Sequence, residues 1–258
     1  ISVPTSLVYF YAKIFLKNKK NVFLEKPVSK YPIKIAELIK LSKSNKVKIM
    51  SGYIYLYNKY IQYIKKTIEK KSLGQIKYVE FNRKNYGPIR NDVSSLWDLA
   101  SHDMSIVKYI FPGNIKKPKF LRTSITKKNI FDNYSINFHI KNIMLNINVS
   151  WLYPEKIRQI LIIGSKKILM FDELNITKPI RIFDVIKKNI STINLPTVYF
   201  NPQKGIKMNE PYVPKFGKVS PLKNELEHCL EAFLKKKKKP LTDAHFALLI
   251  AKNLKKFI

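Results

Sequence analysis

Three residue types that can together move a proton are Lys26, in "LEKP" at 24–27, and the pair Asp98 and His102, in "LWDLASHD" at 96–103. Histidine is the side chain whose ordinary pKa lies nearest neutrality, and a carboxylate beside it tunes that value for acid–base work. On a helix over 94–110, at about 100° per residue, Leu96, Leu99, Ile106, Val107 and Ile110 form one apolar stripe. Asp98 and His102 lie four apart on its edge, and Asp103 falls within it. A carboxylate inside an apolar stripe costs several kcal/mol, on the order of ~2–7, unless it finds a partner, so this helix faces something polar as well as a core. The competing reading is an exposed i,i+4 Asp/His pair worth a few tenths of a kcal/mol. Lys26 sits where the apolar run 21–24 stops on Glu25, Lys26 and Pro27. In an open parallel sheet ligands bind outside the carboxyl ends of strands, which makes this tripeptide a site candidate; the alternative is a strand-to-helix turn carrying a solvated ion pair.

Other chemistries find less support. His139 alternates with apolar residues in a strand, and His228 and His245 have no second ligand at useful spacing, so no metal site is expected. No serine elbow and no Walker-type phosphate loop occurs. Tyr53, Tyr55 and Tyr57 alternate after a short apolar run and could line a pocket or simply pack. Cys229 is the single cysteine, which excludes an intrachain disulfide and suits a reducing, cytoplasmic setting. No apolar run approaches the ~20 residues of a membrane span, and "SLVYFYAKIFL" lacks the flanks of a signal peptide. The formal net charge of +32 suggests nucleic acid at first, but only five of the 49 basic residues are arginine and the lysines are scattered over the chain. Base readout favours arginine, so the charge reads as A/T-rich coding expressed on a solvated surface, with no nucleic-acid partner.

These candidates need elements to hold them. A helix from Thr5 or Ser6 to about Lys19, a short strand at 21–24, a helix from Pro32, a strand at 47–52 and a helix over roughly 57–72 alternate as in a doubly wound parallel sheet. After Gly74 longer strands follow one another through short turns at 141–142 and 164–166, which indicates an antiparallel sheet. Helices at 94–110, about 222–236 and 242–257 would cover one of its faces. The domains are therefore placed at 1–73 and 74–258, and 190–221, with Tyr199, Phe200, Tyr212 and Phe216, reads as a long loop. The lysine run 235–239 suits a helix C-terminus before Pro240.

"VPTSL" (3–7), "NVFLEKPVS" (21–29), "IMSGYIYLYN" (49–58), "SLGQIKYVEF" (72–81), "IRNDVSSLWDLASHDMSI" (89–106), "SWLYPEKIRQILIIGSKKILMFDE" (150–173) and "KPLTDA" (239–244) together resemble the glucose-fructose oxidoreductase / inositol dehydrogenase (Gfo/Idh/MocA) family. The resemblance implies an α/β fold: the C-terminal part of a Rossmann-type doubly wound parallel sheet, then an α+β domain with an open, mainly antiparallel sheet. It implies a cytoplasmic oxidoreductase that transfers hydride between a sugar or nucleotide-sugar hydroxyl carbon and NAD or NADP, and a homo-oligomer formed through the C-terminal sheet. By the same resemblance Lys26, Asp98 and His102 are catalytic: Lys26 bonds the substrate hydroxyl, His102 takes its proton and Asp98 orients the imidazole. Pro4, Thr5, Glu25 and Lys26 face the cofactor, and Tyr53, Asn58 and Arg90 the substrate. Val8 stands where many members have a histidine. The family's G-x-G-x-x-G loop is absent from the seven glycines, so the chain reads as N-terminally truncated, a fragment by about 70 residues at ~30 per βα unit. The alternative is an inactive remnant serving as a sugar-binding or oligomerising module.

Overall fold

A computed structural model of the chain describes residues 1–185, 209–235 and 239–258. Helix α1 (Thr5–Lys17) buries Val8, Ala12 and Leu16, one turn apart, and leaves Phe10, Ile14 and Phe15 exposed on its other side. Strand β1 (Val22–Leu24) runs parallel to β2 (Ile49–Ser51), with Leu24 opposite Ser51. Between them α2 (Pro32–Ser44) starts on a proline, whose missing N–H costs nothing at a first helical turn, and buries Ile35, Leu38 and Ile39. A 3₁₀ turn (Ile54–Tyr57) then leads into α3 (Lys59–Glu69), capped by Asn58, whose side chain accepts from the Tyr60 N–H at 2.8 Å. Gly74 ends the turn after α3 at φ 75°, and a Cβ there would lie 2.3 Å from Ser165 Oγ, so both conformation and space require glycine.

The rest is built on a seven-stranded sheet. Its strands are β3 (Ile76–Tyr86), β4 (Lys116–Thr123), β5 (Asn133–Ile140), β6 (Ile143–Ser150), β7 (Leu152–Gly164), β8 (Lys167–Asp172) and β9 (Ile180–Asp184), in the order β4-β5-β6-β3-β7-β8-β9. Neighbours are antiparallel except β3 and β6. The period-2 pattern puts Val79, Phe81, Ile136, Phe138, Leu145, Ile147, Ile160 and Ile162 on the buried face, while Asn82, Asn137, Asn146 and Asn148 alternate with them and are half-buried. A π-helical turn (Leu96–Ala100) opens into α4 (Ser101–Ile110), and α5 (Pro221–Leu234) and α6 (Ala244–Leu254) close the chain. Helix α6 packs against α2, α4 and β2, and Phe257 just beyond it meets Phe138 with ring centroids 5.6 Å apart. One continuous core results, shared by the parallel pair and the large sheet.

The fold class expected from the sequence is the one observed, with local differences. The edge strand β4 was not expected: its Lys116, Lys117 and Lys119 and mostly exposed side chains carry no core pattern, as befits an edge protected by charge. The five-residue β9 was likewise unexpected. Strands β6 and β7 are separated only by Trp151, where the chain passes over β3, because the two flank it on opposite sides. Neither Thr5 nor Ser6 caps α1; Pro4 holds that position, and the Asp92 carboxylate accepts from the Thr5 N–H at 2.9 Å. Of the expected loop 190–221, Tyr199 and Phe200 lie outside the described residues, while Phe216 packs edge-on to Tyr60 and Tyr63 and Tyr212 bridges Ile182. The lysine run 235–239 is described only at Lys235 and Lys239, and α5 ends one residue before it. Among the described residues no helix is long and apolar enough to cross a membrane.

Candidate active site

The sequence places Lys26 immediately after β1, and the fold carries it to the start of the helix that holds Asp98. The Lys26 ammonium donates to the Asp98 backbone carbonyl at 2.8 Å and to Asp98 Oδ1 at 3.3 Å. Both side chains are largely buried, 13% and 16% exposed, so solvent screens this pair weakly. Burial lowers the Lys26 pKa, and the Asp98 carboxylate opposes the shift. Asp98 has two further partners: Trp151 Nε1 donates to Oδ2 at 3.1 Å, and Arg90 Nη1 approaches Oδ1 at 3.4 Å.

Arg90 is the hinge between this carboxylate and the start of α1. Its Nε and Nη2 donate to both Asp92 oxygens at 3.0 and 2.8 Å, and Nη2 also donates to the Thr5 hydroxyl at 3.2 Å. Asp92 in turn caps α1, its carboxyl held below the usual range, against the effect of burial, by the Arg90 guanidinium and backbone N–H groups. Residues 5, 26, 90, 92 and 98, far apart in sequence, thus form one connected polar cluster at the carboxyl end of β1. Glu25 lies beside it against Gly52, where a Cβ would meet Glu25 Oε2 at 3.0 Å.

His102 is held differently from the sequence expectation. The π-helical turn over 96–100 breaks the simple i,i+4 spacing, and Asp98 is engaged by Lys26, Arg90 and Trp151. His102 Nδ1 is buried without a hydrogen-bond partner. The ring instead meets Tyr55, centroids 5.2 Å apart and planes at 72°. Burial, then the neighbouring cations Lys26, Arg83 and Arg158, push its pKa well below the usual histidine range, so the imidazole is neutral at physiological pH.

Asp103, the carboxylate that falls inside the apolar stripe, finds the partner its burial demands. Arg83 clasps it with Nε at 2.9 Å and Nη2 at 2.7 Å to Oδ1, and both groups are almost fully buried. Burial would lower the arginine pKa, and the Asp103 carboxylate reverses that effect and holds the guanidinium charged. Arg83 Nη1 donates to the Tyr55 hydroxyl at 2.6 Å, which donates to Glu173 Oε2 at 2.7 Å. Arg83, Glu173 and Trp151 were not among the sequence candidates, and Tyr55 was weighed only as a pocket-lining or packing residue; the available signal was Arg83 on the buried phase of β3 after Val79 and Phe81, a charge in need of a carboxylate. Two expected substrate residues fall elsewhere: Tyr53 is 2% exposed and packs on Phe246, and Asn58 caps α3. Pro4 precedes α1 with its carbonyl accepting from Leu7. A cavity of about 270 Å³ borders Asp92 and Trp97, lined by the cations Lys30, Arg122 and Lys255 and the rings of Tyr31 and Phe131. No group of three or more His, Cys, Asp or Glu suited to a metal occurs among the described residues.

A neutral, buried imidazole on α4 and a buried lysine after β1, held by the Asp98 carboxylate, are groups of the kind that can carry acid–base chemistry at a hydroxyl or carbonyl. Several solved structures share this architecture. A UDP-N-acetylglucosamine 3-dehydrogenase from Acidithiobacillus ferrooxidans superposes with a TM-score of 0.79 at 17% identity, covering 99% of this chain and 75% of that one. An inositol dehydrogenase homolog from Azotobacter vinelandii, complexed with NADH and myo-inositol, gives 0.79 at 15%, covering 99% and 73%. The WlbA dehydrogenase of Bordetella pertussis, in complex with NADH and UDP-GlcNAcA, gives 0.73 at 16%, covering 98% and 73%. At these identities the likeness establishes the fold alone. No curated protein matches the sequence. Residues 61–170 match the model of the GFO/IDH/MocA C-terminal domain.

Proposed function

We propose that the protein is a nicotinamide-dependent oxidoreductase acting on a hydroxyl carbon of a sugar or nucleotide sugar. The observation that carries this reading is the Lys26–Asp98 pair beside a neutral His102 at the carboxyl end of β1. The residues present fit the nicotinamide end of NAD or NADP. Thr5 stands at the start of α1 and Glu25 and Lys26 at the end of β1, and His102 Nδ1 is a buried polar atom without a protein partner. When bound, that cofactor supplies the hydride acceptor, and its redox chemistry is its own.

The chain's residues handle the proton and the geometry. Lys26, partly relieved of its charge preference by burial, donates a hydrogen bond to the substrate hydroxyl oxygen and favours the developing alkoxide. His102, neutral at working pH, accepts the hydroxyl proton as the carbon is oxidised to a carbonyl. Asp98 fixes Lys26 rather than the imidazole, and Arg90 ties that carboxylate to the start of α1. The cavity beside Asp92 supports a nucleotide sugar over a bare sugar, because cations and rings together suit a diphosphate and a base. Related solved structures named for UDP-sugars and for myo-inositol support the same range. The half-buried asparagine face of the sheet, with Met144 41% exposed, supports assembly of copies through that face, and the turn at 72–74 supports a domain boundary near residue 73. A cytoplasmic site of action accords with the lone, buried Cys229.

The test is NADH and NADPH titration followed by nicotinamide fluorescence, with turnover assayed on UDP-sugars, free sugars and inositols. Lys26→Met and His102→Gln should each lower turnover at least ~100-fold while leaving nicotinamide affinity within a few-fold. Full turnover in both variants would overturn the assignment. Light scattering with Met144→Glu tests the assembly face, since a charge there should lower the oligomer's mass.

A further inference from the structure

The buried group beneath the active-site cluster with no role so far is Tyr55. It sits on the 3₁₀ turn just past β2, 8% exposed, and links elements that are otherwise separate. Its hydroxyl accepts from Arg83 Nη1 of β3 at 2.6 Å and donates to Glu173 Oε2, just past β8, at 2.7 Å. The Arg83 guanidinium also lies 4.4 Å from the Tyr55 ring centroid and is itself fixed bidentately by Asp103, the residue after His102. The ring is therefore clamped at its hydroxyl and at its face, and the His102 imidazole packs edge-on against it. Resting on the proposed proton transfer to His102, we infer that Tyr55 is the residue that positions that imidazole, while Asp98, its partner by spacing, positions Lys26.

The physical basis is geometric. With Nδ1 buried and unpartnered, no hydrogen bond at that nitrogen fixes χ2 of His102, so packing helps to set its ring plane. An edge-to-face contact at 5.2 Å fixes a plane only if the second ring cannot itself rotate, and the Arg83 and Glu173 bonds supply that restraint. The groups that face His102 electrostatically are Lys26, Arg83 and Arg158, and those facing Tyr55 are Arg83 and Glu173. Removing the hydroxyl should loosen the imidazole without touching Lys26 or Asp98.

The experiment combines Tyr55→Phe, Tyr55→Leu and Glu173→Gln with turnover on the substrate identified above and with NMR of protein carrying labelled histidine. The chain has four histidines, so His102→Gln assigns the signal. Tyr55→Phe should lower kcat ~10-fold and Tyr55→Leu ~100-fold, with both KM values within about twofold, since the loss is of orientation at the proton-transfer step. The His102 ring signals should broaden or split in both, and stay in place in Asp98→Asn. Unchanged kcat and unchanged His102 signals in folded Tyr55→Leu would overturn the inference, as would loss of the signal's position in Asp98→Asn instead. If the tyrosine variants fail to fold, Glu173→Gln on a partly exposed residue carries the same test, with a smaller loss of kcat expected and none overturning it. Should the wild-type protein turn over no sugar, the proton-transfer reading fails, whereas the NMR comparison still decides what holds the imidazole.

Discussion

Asp98→Asn separates the role of Asp98 from the one its spacing to His102 suggests. The substitution keeps the shape, removes the charge beside Lys26 and leaves the Asp98 backbone carbonyl in place to accept from Nζ. At 3.3 Å and an effective dielectric of ~20, the lost Coulomb attraction is at most about 5 kcal/mol, and competition from Arg90 on the same oxygen and the retained carbonyl bond reduce the net effect to ~2–3 kcal/mol. Burial already lowers the Lys26 pKa and Asp98 raises it, so the variant's lysine deprotonates at still lower pH. In kcat/KM against pH, the alkaline limb should move to lower pH. The acid limb should stay, because Asp98 is not among the groups that shift His102. Nδ2 of the asparagine would face either Trp151 Nε1 or the Lys26 ammonium, donor against donor, costing ~1–3 kcal/mol of stability, or a few degrees in Tm. A folded variant with an unmoved alkaline limb, or a shifted acid limb instead, would refute this division of roles.

Arg83→Met should cost ~3–5 kcal/mol in urea denaturation because it strands Asp103 in the core, and adding Asp103→Leu should recover most of the loss; a double variant no better than the single would show that the pair is not the cause. Glu225 is 2% exposed, its Oε1 has no partner, and burial followed by the charge of Glu25 pushes its pKa up to about 8. The folded state therefore binds its proton more tightly than the unfolded chain, and stability falls as pH rises from the ordinary carboxyl range through about 8. Glu225→Gln should raise Tm at pH 9 and leave it nearly unchanged at pH 5, and equal melts of both proteins at pH 9 would contradict the shift. Asn58→Ala should lose ~1 kcal/mol from the α3 cap with an unchanged substrate KM, and Asn58→Asp should retain the stability; a KM effect without a stability effect would return Asn58 to the substrate site.

The sequence alone determined the periodicities. Alternating residues in β3, β5 and β6 and the i,i+4 burial of Val8, Ala12 and Leu16 follow from backbone geometry, and so the parallel pair and much of the large, mainly antiparallel sheet were legible in the residues, though not the parallel pairing of β3 with β6. So was the need for a partner at Asp103, because the cost of a charge in an apolar stripe is local. Spacing could not say who that partner is: Arg83 lies 20 residues away on another element. Nor could it foresee that a π-helical turn alters the Asp98 to His102 spacing, or that Asp98 turns to Lys26, 72 residues distant. Which candidates share a site, and which, like Asn58, cap a helix, depends on packing between elements far apart in sequence. Those long-range contacts are set by the assembled core, which no local pattern of residues encodes.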